Sequence, residues 1–227
     1  MARGKPKGAS AAGHARKLNR TQRIAWLRLI RSENVGPATF RGLVNAFGGA
    51  EAAIDALPGL SRRGGRTDIR LYSEAEAEAE LEAAERIGAS LVAVGEEGYP
   101  PALAQVDAPP PLLYVKGRLE LAGIPIVAIV GARNGSAVGQ KFTRQIATEL
   151  GQEGFVIASG LARGIDTAAH SAALEHGTLA VQAGGIDTSI RPRMRRCIGR
   201  SARKAFSSAN VHRASLPAAR TSRAATG

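Results

Sequence analysis

The 227 residues, 44% of them hydrophobic, suffice for one domain or two small ones with a sizeable core, and fall short of a large multi-domain machine. With 4% aromatics and no apolar run near the ~20 residues that a spanning helix requires, the composition excludes a membrane protein, and the single Cys197 excludes a disulfide framework. The formal charge of +12 divides into +7 over residues 1–23, −5 over 24–190 and +10 over 191–227. A central nucleic-acid site must therefore come from a few well-placed Arg and Lys and not from the overall field.

Residues 1–20 are rich in Gly, Ala, Lys and Arg, lack apolar periodicity and have no apolar stretch of the secretory kind. They are expected to form a disordered basic arm on a protein of the reducing cytoplasm. Ile24, Leu27 and Ile30 mark a first helical face, and Phe40, Leu43, Val44 and Phe47 a second after Val35-Gly36-Pro37. A third helix, about Ala50 to Ala56, is expected to give way to a glycine-centred turn at Leu57-Pro58-Gly59-Leu60. The pattern resembles helix-hairpin-helix and SAM-like modules, whose glycine turns can present N–H groups to a phosphate, although the glycines could equally serve only as caps. Ser73 and Glu76 have capping-box spacing, so Ser73 to Ile87 reads as a helix stopped by Gly88, its glutamates forming a solvated face.

Five apolar runs follow: 91–94, 112–115, 126–130, 155–158 and 179–181. They lack alternation, as in strands buried on both faces. Helical patterns at Val138–Leu150 and Thr167–Glu175 separate the last three, and this βαβαβ order predicts a parallel Rossmann-like sheet. Ligands of such sheets collect beyond the strand carboxyl ends. There the sequence has three glycine loops: Gly131-Ala-Arg133-Asn-Gly135-Ser136, Ser159-Gly160-Leu-Ala-Arg163-Gly164-Ile-Asp166, and Gly184-Gly185-Ile-Asp187. Glycines admit an anion close to the backbone, helix N-termini add unpaired N–H groups, and Arg133 and Arg163 supply guanidinium forks that match phosphate. Ser136 is expected to cap the helix after the first loop and Asp166 the helix after the second; His170 is read as a satisfied structural histidine and Lys141 as a surface charge.

Glycines at 131, 135 and 139 do not make G-x-G-x-x-G, and the fourth run ends in Ala158-Ser159-Gly160 where a nicotinamide-dinucleotide protein would carry an acidic residue. No triphosphate loop, zinc-spaced cluster or catalytic triad stands out, so neither cofactor nor metal is expected.

Val127-Ala-Ile-Val-Gly-Ala-Arg133, Ser159-Gly-Leu-Ala-Arg-Gly-Ile-Asp-Thr-Ala-Ala-His170 and the run-up Glu97-Gly-Tyr-Pro-Pro-Ala-Leu103 with Pro110-Pro-Leu-Leu-Tyr-Val-Lys-Gly117 resemble the DNA-processing protein A (DprA/Smf) family. The likeness spans about Thr21 to Asp187. It implies a SAM-like domain, a Rossmann-like core and a non-catalytic protein that binds single-stranded DNA, dimerises and delivers the strand to the RecA recombinase in natural transformation. By motif position the phosphate-binding residues would be Gly131, Arg133, Ser159, Gly160, Arg163 and Gly164, with Gly184 and Gly185 added from the third glycine loop. The alternative is a Rossmann-like nucleotide hydrolase using the same loops.

Beyond Asp187 the sequence departs from the family, and 22 of the 37 residues after Ile190 are Arg, Ala or Ser without helical or strand periodicity. The expected organisation is therefore an arm (1–20), a helical SAM-like domain (21–72), an incomplete Rossmann-like domain (73–190) and a basic tail (191–227) that is either a disordered appendage or an out-of-frame product. An apolar strand edge left open by such a truncation predicts low stability or aggregation and an impaired, doubtfully dimeric protein.

Overall fold

The computed structural model describes residues 17–65, 69–182 and, for the backbone, 206–210. Most of the predicted arm, the third glycine loop with Gly184 and Gly185, and the tail outside 206–210 lie beyond the described residues.

Helix α1 (Arg20–Arg31) opens on a capping box between Asn19 and Gln22. Helix α2 (Pro37–Phe47) starts with Pro at its first position, where the missing N–H costs nothing, and ends on Gly48 in the left-handed conformation. Helix α3 (Ala50–Arg63) does not stop at Ala56: it runs through Pro58. Proline removes one hydrogen bond, but Ala53, Ile54 and Leu57 are buried in a core with Leu29 and Phe40, which holds the helix on its course. Trp26 meets Phe40 edge-on at 5.0 Å in the same core.

Helix α4 (Glu74–Arg86) has the expected Ser73–Glu76 capping box, and Gly88 follows at φ +72. The expectation of a wholly solvated glutamate face fails at Glu80, which is 2% exposed. It shares the inward stripe of Ala77, Leu81 and Ala84, and the Arg31 guanidinium grips it through Nη2 at 2.9 Å and Nε at 3.2 Å. Tyr72 donates its hydroxyl to the same carboxylate at 2.9 Å. Glu96 acts similarly on the other flank, accepting from Arg23, Leu18 N–H and Ala93 N–H and thereby fixing the start of α1 to the turn after β1. Burial pushes the Glu96 carboxyl up, but those N–H groups and the guanidinium outweigh it and hold the pKa below the ordinary value.

All five apolar runs form strands: β1 (Ser90–Ala93), β2 (Leu112–Gly117), β3 (Ile126–Ala128), β4 (Val156–Ser159) and β5 (Thr178–Gln182). Helix α5 (Pro101–Ala104) and a short 3-10 turn (Leu119–Gly123) join the first three, while α6 (Ala137–Gln152) and α7 (Ile165–Ala173) provide the crossovers. Strands β3, β4 and β5 are parallel, with Ile126 opposite Val156 and Ile157 opposite Thr178. Strand β1 is antiparallel to β2.

A sixth strand, β6 (Phe206–Asn210), lies between β2 and β5, antiparallel to the first and parallel to the second, giving the order β1-β2-β6-β5-β4-β3. The tail's lack of strand periodicity thus misleads over these five residues: ladder pairing uses backbone N–H and C=O, which every non-proline residue carries. Among the described residues the sheet's edge strands are β1 and β3, and the residues of β3 are half-buried or exposed rather than buried on both faces. Beside it Val130, Val138 and Phe142 are 76%, 78% and 62% exposed.

Candidate nucleic-acid interface

Strands β3, β4 and β5 run the same way, so the loops leaving β3 and β4 emerge at one edge of the sheet. The two loops are locked together. Ile165 N–H donates to the Ala132 carbonyl at 3.3 Å, and Gly164 sits so close to the first loop that a Cβ there would lie 2.3 Å from the Ala132 oxygen and 2.6 Å from that of Arg133. Its φ of +79 and ψ of −119 further restrict the position to glycine. A Cβ on Gly131 would fall 2.8 Å from Ile165, so the first α7 residue fills the space under the first loop. These glycines let two backbones touch; the sequence suggested only that they would let an anion approach.

Arg133 and Arg163 are exposed, one on each interlocked loop, and neither makes an ion pair among the described residues. Ser136 caps α6 as expected, its Oγ accepting from Gly139 N–H at 3.1 Å. Ser159 is buried and Gly160 is exposed, but the donors of both are engaged within the protein. The Ser159 hydroxyl is buried and donates to the Ile129 carbonyl at 2.7 Å, and the Gly160 N–H donates to Asp166 Oδ2 at 3.1 Å. Neither therefore presents a donor to an external phosphate, and the loop chemistry rests on Arg133, Arg163 and the remaining backbone.

Asp166 is not the N-cap of α7. That position belongs to Gly164, while the Asp166 side chain is turned back under its own loop. Sequence spacing cannot separate these roles, because a carboxylate two residues into a helix serves either. His170 is buried, with Nδ1 2.7 Å from Thr178 Oγ1, whose hydroxyl donates to Ile157 O; Nδ1 therefore carries the proton. Its buried Nε2 has no partner among the described residues, so the expectation of a satisfied histidine holds at one nitrogen only. Burial pulls the His170 pKa down to about 4, against an opposing pull from Asp166 and the Ser159 backbone. Lys141 is exposed on α6. Sequence reading missed the neighbouring Phe142, whose four-residue spacing from Val138 puts both on one helical face.

A separate hollow between the start of α1 and the 3-10 turn is lined by Lys17 and Arg23 but also by Glu96, Glu97 and Glu120, a net acidic set unfavourable to phosphate. Among the described residues no helix is long and apolar enough to cross a membrane, and no cluster of three or more His, Cys, Asp or Glu could hold a metal.

With this geometry in view, a family model described as DNA recombination-mediator protein A matches residues 90–214, and a DprA-like N-terminal HHH domain matches residues 20–83. The chain belongs to the DNA recombination-mediator protein A family. It is 30% identical over 194 residues to the Smf protein of Synechocystis sp., covering 77% of this chain and 47% of that protein. It is 46% identical over 94 residues to the DNA processing protein DprA of Streptococcus pneumoniae, covering 40% of this chain and 33% of the relative. The X-ray structure of DprA from Streptococcus pneumoniae superposes with a TM-score of 0.53 at 28% identity, covering 77% of this chain and 51% of that one. The chain thus spans about half the length, or less, of these relatives. The family match continues past Ile190 through β6.

Proposed function

We propose that the interlocked loops bind single-stranded DNA by its phosphates, with Gly131, Arg133, Arg163 and Gly164 at the contact and Ser159 and Gly160 beneath it. The family resemblance extends the reading to Gly184 and Gly185 on the third loop, to homodimerisation, and to delivery of the strand to RecA in natural transformation. The observation that carries it is the pair of exposed guanidinium groups, neither in an ion pair among the described residues, on two loops that share one backbone contact at the strand carboxyl ends. Such a site grips a phosphate chain without reading bases, and its grip weakens as salt rises. Binding rather than catalysis is the activity. A nucleotide hydrolase gains nothing from this geometry, because Asp166 and His170, the acid–base groups under the second loop, are buried, and Asp166 is held by backbone N–H groups.

Fluorescence anisotropy of labelled oligo-dT across a salt series tests the reading. Arg133→Ala and Arg163→Ala should each weaken binding about tenfold, the loss of one charge-assisted contact. The control replaces Arg191, Arg193, Arg195 and Arg196 with Gln, which spares β6. If that control abolishes binding while the loop variants leave it intact, the basic tail and not the loop pair is the DNA site.

A further inference from the structure

The second loop carries its own anion. Asp166 is 5% exposed, and a single oxygen, Oδ2, accepts from Gly160 N–H at 3.1 Å and from Ala162 N–H at 3.2 Å. Those N–H groups flank Leu161, which stands at φ +59, a left-handed conformation that L residues other than Asn and Asp rarely adopt. Two N–H groups bracketing a left-handed residue form a concave anion-binding nest, and here a carboxylate from the following helix occupies it from below. Thr167 adds a second tie, donating its hydroxyl to the Ala162 carbonyl at 2.8 Å. One residue further on, Arg163 leaves the loop toward solvent, and Gly164 then meets the first loop.

We propose that Asp166 is a positioning residue for DNA binding: its carboxylate oxygen holds Leu161 in the left-handed turn and so fixes the path by which Arg163 reaches the phosphate chain. This rests on the loop pair being the DNA site. The effect is geometric rather than electrostatic, since a negative charge beneath a phosphate would by itself weaken binding. Asparagine, whose amide oxygen can accept the same two bonds, should therefore replace aspartate, and alanine should not.

The test measures oligo-dT anisotropy and thermal melting on the full chain for Asp166→Ala, Asp166→Asn, Arg163→Ala and the Asp166→Ala/Arg163→Ala pair. Asp166→Ala should weaken binding about tenfold, the Asn variant should stay within about twofold, and the double variant should be little worse than Arg163→Ala alone, because both changes remove the same contact. Losses that multiply in the double variant would mean that Asp166 supports the fold without aiming Arg163. Should the alanine variant fail to melt cooperatively, the Asn variant decides: a tenfold loss at unchanged melting overturns the proposal. Intact binding in Asp166→Ala beside weakened Arg163→Ala removes the positioning role alone. If Arg133→Ala and Arg163→Ala bind as well as the unaltered chain, the DNA site is elsewhere and the positioning role goes with it.

Discussion

In the half built from α1, α4, β1 and β2, a buried carboxylate is clamped by Arg31 and Tyr72, and a second, Glu96, ties α1 to the sheet. In the half built from β3, α6, β4, α7 and β5, the closest packing comes instead from Ala147, Ala169, Ala173 and glycines that admit neighbouring side chains and backbone. Every ion pair among the described residues lies between Arg20 and Glu120. The first half uses its arginines to hold α1 to α4 and to the turn after β1, and the second leaves Arg133 and Arg163 exposed and without an ion pair among the described residues. The contrast separates the supporting half from the proposed binding loops within a chain whose central part is net acidic.

The contrast breaks most visibly at Glu80. Replacing Glu80 with Ala leaves the Arg31 guanidinium, whose side chain is 13% exposed, without its partner; the expected loss is about 3–5 kcal/mol of stability in thermal or denaturant melting. A loss below about 1 kcal/mol would show that the clamp is dispensable.

In the loop half the largest effect depends on pH. The folded pKa of His170 is depressed to about 4, below the ordinary 6.5, so between these values the unfolded chain binds a proton that the folded chain refuses. Stability contributed by neutral His170 is complete above pH 6.5 and falls as pH drops toward 4, by about 3 kcal/mol in total. His170→Gln should remove that part of the pH dependence, read as the difference between the two melting profiles. Parallel profiles would contradict the assignment.

Gly164→Ala comes next, forcing a Cβ against the Ala132 carbonyl at a positive φ. It should cost about 2–3 kcal/mol in melting and weaken oligo-dT binding as well. The smallest effect belongs to Phe142→Ser: at 62% exposure, the change should move stability by no more than about 0.5 kcal/mol while raising the concentration at which the protein aggregates.

The amount legible in the sequence followed the range of the interactions. Local signals located all five predicted strands, the Ser73–Glu76 box and the Ser136 cap, because each depends on residues within a few positions. The continuation of α3 through Pro58 was hidden, since the burial that outweighs the proline involves Leu29 and Phe40 on other helices. Glu80 was disguised by the Glu-Ala alternation around it, although its place on the stripe of Ala77, Leu81 and Ala84 was a readable sign of burial. Strand β6 left no periodic trace, because its position reflects a place between β5 and β2 rather than an apolar face of its own. At the candidate site the exposed guanidinium groups were foreseeable from loop composition. The burial of Ser159 and Asp166 and the engagement of the Gly160 N–H were not, since they depend on how the loop folds under itself.

Whether the two loops act as one phosphate cradle is read most directly by amide NMR of the full chain titrated with oligo-dT. Amides of 131–136 and 161–165 should shift together along one saturation curve, and the curve should move to higher DNA concentration as salt rises. Shifts confined to the basic ends of the chain, with both loops unmoved at saturation, would contradict the cradle.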